Sequence, residues 1–512
     1  MTVDPAGVPE LPAAEKRERI REWLRKRAAA REQELPPSEG QKALWFICKL
    51  SPDNVAYNVP FAARIRSRFD VDLIREALQI VTSRHGAART TFRQRNGQIV
   101  QVVHSDREVD FRRIDASGWD ETQLSQRVAD EVYRVFDLEQ GPLMRCAVFS
   151  VSSEEHVLAF SVHHIVGDFL SLVVLMSELR EVYAAISQGS PASLPPLKAD
   201  YGDFVRWQRE LLKGPRGEEL WEFWRTQLAG ELPVLDLPVD RPRPSQQTFH
   251  GAAVRLVLEP GLTRRLQQLA RDEGATLFTL LLAAYKVLLH RYTGQNDVCV
   301  GSPTAGRSAG EFAGLIGYFV NAVVFRSDLG GNPDFIGLLR RERETVLRAL
   351  AHQDYPFARL VERLQPVRDS SRAPVFQTMF VLDRSPLPRE RGAASALLGH
   401  AADFALGALQ MEVFPVPTRS TPFEISLIME DAGDIVTGFL QYNTDLFTSA
   451  TIARLTAHFQ RLLEEIVADP HRPIDEISLL SDRERERLLV AWNATEADYP
   501  RDRCLHEWFE EQ

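Results

Sequence analysis

The chain has 512 residues, of which 44% are hydrophobic and 26% are charged, and its formal net charge is −10. A chain of this length usually folds around more than one hydrophobic core, so a globular protein with two or more lobes is expected. The acidic net charge argues against nucleic-acid binding, and no run of residues is apolar and long enough to cross a bilayer. The four cysteines lie far apart in the sequence and predict neither a zinc site nor a disulfide framework. This cysteine pattern fits a cytoplasmic protein.

The first 35 residues, 1–35, are predicted to form a helical appendage to the globular body. Residues Glu15–Arg31 hold eight basic and three acidic side chains, and Ile20, Trp23 and Leu24 follow helical spacing. One interpretation is a solvated leader helix. The other is a docking helix for the acidic tail of a partner, because an exposed tryptophan beside a basic face is unfavourable without one.

Helices and strands then alternate on both sides of a proline-rich passage at residues 189–204. Apolar residues at helical spacing predict helices, and alternating apolar residues predict strands. The helices are predicted over residues 70–86, 171–189, 276–294 and 451–470, and the strands over 156–166, 297–303, 375–383 and 423–442, the last folded back at 431–434. This pattern predicts an α/β protein with two lobes of similar build.

The stretch SVHHIVGDFLS, Ser161–Ser171, places two histidines side by side at the end of a predicted strand. Successive strand side chains point to opposite faces, so His163 and His164 cannot both line one cleft unless the strand breaks. A metal site also lacks a third ligand nearby, which argues against metal binding. Two other interpretations remain. One is a buried structural pair with Asp168 capping the next helix; the other is a neutral histidine that accepts a proton from an attacking amine.

The stretch GRSAG, Gly306–Gly310, matches the nucleophile elbow of serine hydrolases. That elbow needs a strand that leads directly into the serine and a helix after it. Here SPTAGR separates the predicted strand DVCVG from Ser308, so we interpret the match as chance. A histidine site without a nucleophile beside it implies direct transfer of an acyl group that arrives already activated.

The histidine stretch resembles the HHxxxDGxS motif of condensation domains in nonribosomal peptide synthetases, members of the chloramphenicol-acetyltransferase-like superfamily. Six further blocks resemble motifs of this family, in the family's order along the chain: SEGQKALWF (38–46), RHGAARTTF (84–92), YGDFVRWQ (201–208), IGYFVN (316–321), HQDYPF (352–357) and RDSSRAP (368–374). The resemblance covers roughly Pro36 to Asp482. Two positions depart from the pattern: Ala88 replaces the usual leucine, and Phe169 replaces the glycine of the histidine motif.

The resemblance implies an α/β fold of two chloramphenicol-acetyltransferase-like lobes in a V-shaped pseudo-dimer with a central tunnel. The N-terminal lobe is expected over residues 36–205 and the C-terminal lobe over 206–482. In this family two phosphopantetheine-bearing carrier proteins dock on opposite faces, one with a donor acyl thioester and one with an acceptor aminoacyl thioester. The expected reaction is attack of the acceptor amine on the donor carbonyl to form an amide. The domain itself is expected to bind no cofactor and no metal.

Residue roles follow from the same resemblance. His164 is expected to face the tunnel as base or as the group that positions the amine, with His163 and Asp168 in supporting positions. Arg89, the motif arginine, is expected to form a buried pair with Asp168. The residues expected to line the tunnel near the substrates are Gly167, Phe169, Ser171 and Asn321. Because Phe169 adds bulk where the family has glycine, we expect it either to narrow the tunnel or to pack into the N-terminal lobe.

Partners are also implied by the resemblance. Residues 483–512 resemble the linker that leads into an adenylation domain, so a downstream adenylation domain and an acceptor carrier are expected. The upstream donor carrier is expected on a separate polypeptide, docking through residues 15–31. Neither nucleic acid nor a membrane is an expected partner. The departure at Phe169 leaves a second hypothesis, a catalytically silent carrier-docking scaffold of the same fold.

Overall fold

The computed structural model describes residues 32–367, 369–383, 403–406, 409–498 and 502–512. The predicted leader helix at 15–31 lies outside the described residues. The described α-helices are α1 Glu39–Leu50, α2 Val71–Arg84, α3 Glu121–Val132, α4 Phe169–Ser187, α5 Tyr201–Lys213, α6 Pro215–Gln227, α7 Pro260–Asp272, α8 Leu277–Thr293, α9 Phe335–Leu350, α10 Phe357–Leu364, α11 Ser449–Ala468, α12 Asp482–Leu489 and α13 Leu505–Glu511. The described strands are β1 Gln33–Leu35, β2 Asn58–Ile65, β3 Thr90–Arg95, β4 Gln98–Val103, β5 Asp110–Asp115, β6 Met144–Ser150, β7 His156–His163, β8 Gly251–Leu258, β9 Asp297–Thr304, β10 Asn321–Asp328, β11 Thr378–Asp383, β12 Asp403–Leu406, β13 Leu409–Val413, β14 Ile425–Asp431 and β15 Val436–Asn443.

The N-terminal lobe is built on a six-stranded sheet in the order β12-β13-β2-β7-β6-β5, antiparallel except for the β5–β6 pair. Every residue of β7 is buried, because successive side chains enter cores on opposite faces of the sheet. Leu158, Phe160 and Val162 pack in the core that α2 and α4 cover. Val157 and Ala159 pack in the core that α3 covers.

Two strands of this sheet come from the second half of the chain. Strand β13 pairs antiparallel with β2, with Met411 opposite Ile65, and β12 extends the sheet at its edge. Phe414 then packs in the core on the α3 face. The interval expected for the C-terminal lobe, 206–482, therefore does not hold for β12 and β13, because strand exchange between lobes leaves no sign in the local sequence pattern.

The C-terminal lobe is built on a second six-stranded sheet, in the order β10-β9-β11-β14-β15-β8. Strands β11 and β14 run parallel, and β14 turns back antiparallel into β15. Helix α8 is the buried centre of this lobe, with every residue from Thr279 to His290 buried. On it, Lys286 forms a 2.7 Å ion pair with Glu342 of α9, and both side chains are fully buried. The predicted build of two α/β lobes is confirmed.

A small sheet, β1-β4-β3, joins the start of the described chain to the N-terminal lobe. Glu34 of β1 forms ion pairs with Arg93 and Arg95 of β3 at 2.5 Å. Exposed pairs of this kind contribute little free energy, so the strand pairing fixes this segment. The described helices include none that combines the length and the apolar character needed to span a bilayer.

Candidate functional site

The site is built where β7 ends. The chain leaves the sheet after His163, turns, and enters α4 at Phe169. Asp168 is the N-cap of α4, and its Oδ1 accepts a 2.8 Å hydrogen bond from the backbone N–H of Ser171. We call residues 163–168 the histidine turn. Because the strand ends between the two histidines, their rings lie in different surroundings.

His163 is held on both ring nitrogens by the protein. Its Nδ1 accepts a 3.2 Å hydrogen bond from the backbone N–H of Ile165, so the ring proton lies on Nε2, 3.5 Å from the Sγ of Cys48. The ring of Phe136 packs edge-on against it. Burial lowers the pKa of His163 to about 3, so the ring is neutral at pH 7. These contacts fit a residue that supports the turn rather than one that meets a substrate.

Acid is expected to destabilise the fold through His163, by about 2 kcal/mol between pH 7.5 and pH 5. The unfolded chain binds a proton on this histidine near its usual pKa of 6.5, whereas the folded protein binds it only near 3, so the unfolded state gains protons between these values. His163→Asn keeps an acceptor for the N–H of Ile165 and does not titrate. Urea unfolding at both pH values should show a smaller loss for the variant, and an equal loss would contradict this explanation.

His164 presents a free imidazole nitrogen. Its Nδ1 lies 3.0 Å from the carbonyl oxygen of Gly167, which can only accept, so Nδ1 carries the proton and Nε2 holds the lone pair. Among the described residues, none hydrogen-bonds to this Nε2. Burial lowers the pKa of His164, and the charge of Asp168 opposes that shift. The residue is nevertheless only partly buried, and its Nε2 is not among the fully buried side-chain atoms that lack a partner. His164 is therefore a neutral base that lies deep in the protein and can still be reached.

Asp168 is held by Arg307. Nη1 of Arg307 lies 3.0 Å from Oδ2 and Nη2 lies 3.0 Å from Oδ1, and each side chain is 5% exposed. The carboxylate also accepts hydrogen bonds from the Ser171 hydroxyl at 2.7 Å and from the backbone N–H of Phe319 at 3.1 Å. Arg307 and Phe319 come from the segment between β9 and β10. Asp168 therefore ties the histidine turn to a segment of the C-terminal half of the chain.

The expected pair between Arg89 and Asp168 is wrong. Arg89 ends the short 3-10 helix Gly86–Arg89, and its guanidinium donates to the carbonyl oxygen of His104, just beyond β4. Burial lowers the pKa of Arg89. Arg89 was expected there only because of its position in the motif. Packing between the two halves of the chain instead brings Arg307 against Asp168.

Arg307 belongs to the GRSAG stretch. Strand β9 ends at Thr304, so no strand leads directly into Ser308, and the Ser308 hydroxyl hydrogen-bonds to Asp354. The structure thus agrees that this stretch is not a nucleophile elbow. Sequence reasoning dismissed the serine and overlooked the arginine beside it. The available signal was a lone cation, Arg307, nine residues before the apolar block IGYFVN.

Gly306→Ala is expected to lower the free energy of unfolding by about 1–3 kcal/mol through backbone strain, and further through a clash. Gly306 has a φ of +62°, and a Cβ there would lie 1.8 Å from the carbonyl oxygen of Phe319. The displaced backbone would also move Arg307. Gly310→Ala is a matched control in the same segment, because an added Cβ there meets open space. Thermal unfolding compares the two variants; equal melting temperatures would contradict the requirement for glycine at 306.

Distant motif blocks brace the histidine turn. Nε2 of Gln41, on α1, donates to the carbonyl oxygen of Ile165 at 3.0 Å. The hydroxyl of Tyr201, the first residue of α5, donates to the carbonyl oxygen of Tyr318 at 2.7 Å. The blocks SEGQKALWF, YGDFVRWQ and IGYFVN are far apart in the sequence and meet around the two histidines.

The structure gives other contacts to three residues expected to line the tunnel. Gly167 and Ser171 border a small apolar cavity of about 10 Å³ behind the turn. The Nδ2 of Asn321 donates to the carbonyl oxygens of Gln353 and Tyr355 at 2.7 and 2.8 Å, and its Oδ1 also accepts a backbone N–H. The Asn321 amide therefore holds the loop before α10, and a direct contact with substrate stays a prediction for all three residues.

Phe169 is half-buried at the start of α4. Leu172, one turn later, is buried in the core of the N-terminal lobe, whereas Phe169 is not among the described residues that pack there. Of the two positions left open by the sequence, the structure favours the one outside the core. Contact between this ring and a donor chain stays a prediction.

The site offers no thiolate and no metal cluster among the described residues. Cys48 lies beside His163, but burial raises the pKa of Cys48 to about 11, which keeps the thiol protonated. No three His, Cys, Asp or Glu side chains of the described residues are grouped so that they could hold a metal ion. The group with a free lone pair at this place is the imidazole of His164.

Comparison with known proteins shows the family. The family model of the Condensation domain matches residues 31–489. Over 93% of its length, the chain is 39% identical to one of the linear gramicidin synthase subunits of Brevibacillus parabrevis and 38% identical to chondramide synthase cmdD of Chondromyces crocatus. The chain spans 6% and 12% of the length of these two proteins.

Solved structures show the same fold. One is holo-AB3403, a four-domain nonribosomal peptide synthetase, with a TM-score of 0.80 and 25% identity, covering 88% of this chain and 34% of that chain. Another is the X-domain from teicoplanin biosynthesis, with a TM-score of 0.79 and 29% identity, covering 88% of this chain and 98% of that chain. With the family model and the histidine motif, these likenesses show that the chain belongs to the condensation domain family of nonribosomal peptide synthetases and has their chloramphenicol-acetyltransferase-like fold.

Proposed function

We propose that this domain forms an amide bond between a donor acyl thioester and the amine of an acceptor aminoacyl thioester, both carried on phosphopantetheine arms of carrier proteins. The observation that carries this proposal is the free Nε2 of His164, held in one tautomer by the carbonyl oxygen of Gly167. A neutral, reachable imidazole is the group that an attacking amine needs nearby.

The chemistry at His164 is a direct transfer. The acceptor nitrogen attacks the donor carbonyl carbon, and its proton passes to Nε2 or is held there by a hydrogen bond. The tetrahedral intermediate then expels the donor thiolate, so a C–N bond forms and a C–S bond breaks. The proton from nitrogen returns to the leaving sulfur. Because a neutral amine is already nucleophilic, holding it in line accounts for part of the effect of His164.

Substrate shape and partner docking extend the proposal to residues outside the histidine turn. Phe169 would border the donor chain near the thioester, and the position of its half-buried ring outside the lobe core supports this role. The basic segment 15–31 would bind an acidic tail on the upstream carrier. The acceptor carrier and an adenylation domain would follow downstream.

A second candidate function is a docking scaffold without catalysis. One solved structure similar to this chain, at 28% identity and a TM-score of 0.78, is a complex of the X-domain and OxyB from teicoplanin biosynthesis. A domain of this fold can therefore hold another protein. The reachable lone pair on His164 favours the enzyme.

The experiment that tests the proposal mixes the domain with separately loaded donor and acceptor carriers. A panel of acyl donors and aminoacyl acceptors is followed by mass spectrometry for an amide on the acceptor carrier. Product that depends on the domain supports the enzyme. Binding of both carriers without product across the panel would support the scaffold instead.

A further inference from the structure

The backbone donors of the histidine turn are occupied within the protein. The N–H groups of Ile165 and Val166 donate to Nδ1 and to the carbonyl oxygen of His163. The N–H of Gly167 donates to the carbonyl oxygen of His164 at 3.3 Å, and that of Asp168 to a carbonyl oxygen at 3.1 Å. Acyl transfer places negative charge on the carbonyl oxygen, and a hydrogen-bond donor aimed at that oxygen is usually worth a large factor in rate. Because these four N–H groups already donate within the protein, they do not supply a donor to the substrate oxygen in this arrangement.

Tyr318 brings a different donor to the same place. Its ring packs edge-on against the imidazole of His164, with ring centres 5.1 Å apart and an interplanar angle of 84°. The backbone on both sides of it is fixed to the histidine turn: the carbonyl oxygen of Gly317 accepts from the N–H of Asp168, and the N–H of Phe319 donates to the Asp168 carboxylate. A group bound beside the His164 ring therefore also lies beside the Tyr318 ring.

The position of the ring is enforced from α1 as well. A Cβ at Gly40 would lie 2.5 Å from Cε1 of Tyr318, so the aromatic edge approaches the helix backbone as closely as glycine allows. The carbonyl oxygen of Tyr318 accepts the 2.7 Å hydrogen bond from Tyr201. Ring and backbone are thus both restrained, which is what a preorganised donor requires.

The hydroxyl of Tyr318 is left unused by the protein. Within the described part of the chain, nothing hydrogen-bonds to it, and it is not among the buried polar atoms that lack a partner, so it reaches accessible space. Burial, with a smaller contribution from Asp168, raises the pKa of Tyr318, so the phenol keeps its proton. It is a neutral donor on the ring that packs against the neutral base His164.

We infer that the Tyr318 hydroxyl donates a hydrogen bond to the carbonyl oxygen of the donor thioester and stabilises the oxyanion as the acceptor amine attacks. This inference rests on the proposed amide-forming function and adds a second catalytic residue to it. His164 receives the proton of the amine, while Tyr318 holds the oxygen on which charge develops and keeps its own proton throughout. The two side chains come from the two halves of the chain and meet only in the assembled fold.

Tyr318→Phe tests the inference, because it removes the hydroxyl and keeps the ring against His164. With the donor and acceptor carriers that turn over fastest in the panel, kcat is expected to fall about a hundredfold, as for loss of one oxyanion donor. KM for each carrier and the melting temperature should stay near wild type, since the contact forms in the transition state. Tyr183→Phe, about 20 Å along α4 from the turn, is the control and should keep wild-type kcat.

The outcomes separate this inference from the proposed function. Wild-type kcat in Tyr318→Phe, together with a large loss in His164→Ala, would overturn the role of Tyr318 alone and shift oxyanion stabilisation to the first N–H groups of α4. A raised KM with unchanged kcat would likewise overturn it, because the hydroxyl would then bind substrate and transition state equally. Wild-type kcat in both variants would overturn the roles of both Tyr318 and His164, whereas absence of product with the wild-type domain would overturn the proposed function itself.

Discussion

His164→Ala is expected to lower amide formation by at least about a hundredfold, the low end for a positioned acid–base group, and to leave the fold intact. The imidazole makes one side-chain hydrogen bond, to the carbonyl oxygen of Gly167, and its Nε2 supports no structural contact among the described residues. Truncation therefore removes the proton acceptor, this one hydrogen bond and the edge-on packing against the Tyr318 ring. Single-turnover product formation and thermal unfolding on the same preparation measure both parts.

The control for this experiment is His250→Ala, which removes an exposed histidine paired with Asp445 in the C-terminal half. It should keep wild-type turnover. Unchanged turnover in His164→Ala with a slow-reacting donor would contradict the catalytic role of Nε2. A loss of turnover accompanied by a large drop in melting temperature would contradict the expectation that the ring is dispensable for folding.

The pH profile adds an independent check. Because burial lowers the pKa of His164, the neutral imidazole persists below the usual histidine range. The rate is measured against pH with an acceptor whose amine pKa is known, so that titration of the amine can be separated from that of the enzyme. The acid limb that belongs to the enzyme is then expected at lower pH than for an ordinary histidine. An acid limb at or above the usual value would contradict a buried neutral base.

What could be predicted from the sequence was local. A strand ending at the histidines and a helix capped by Asp168 both follow from patterns within a dozen residues, and the structure has them. Length and the recurring helix–strand pattern predicted two α/β lobes, and the family resemblance added their chloramphenicol-acetyltransferase-like fold. The cation that meets Asp168 could not be found this way, because Arg307 lies 139 residues away and reaches the turn only through packing between the two halves.

The same limit explains the exchanged strands and the role of Asn321. Strand β13 reaches β2 across more than 340 residues, and no periodicity in either segment indicates its partner. The motif block of Asn321 predicts a place near the tunnel, and the structure adds that its amide holds the loop before α10, while a contact with substrate stays a prediction. Position in a motif predicts proximity to the site, whereas the hydrogen-bond partners of a side chain depend on contacts that only the folded chain makes.

Breaking the pair between Asp168 and Arg307 is expected to destabilise the protein by about 3–5 kcal/mol, because it leaves a buried charge without its partner. The two single variants should differ. Asp168→Ala leaves the buried guanidinium of Arg307 without its carboxylate, and the N–H groups of Ser171 and Phe319 lose their acceptor. Arg307→Met leaves the carboxylate its other donors, and the methionine can still cover the Phe319 ring that the guanidinium now faces at 4.1 Å. Asp168→Ala is therefore expected at the upper end of the range and Arg307→Met at the lower end.

Arg89→Met is the matched control, since it makes the same substitution at the arginine that the motif suggested. Arg89 is half-buried and donates to one backbone carbonyl, so its loss is expected to cost about 1 kcal/mol, the usual net value of a single hydrogen bond. Urea unfolding ranks the three variants, and the double variant Asp168→Ala with Arg307→Met should lose less than the sum of the singles, because it removes both charges. If Arg89→Met proved as damaging as Arg307→Met, or if the losses at Asp168 and Arg307 simply added, the buried pair that joins the two halves of the chain would not be the contact that holds the histidine turn.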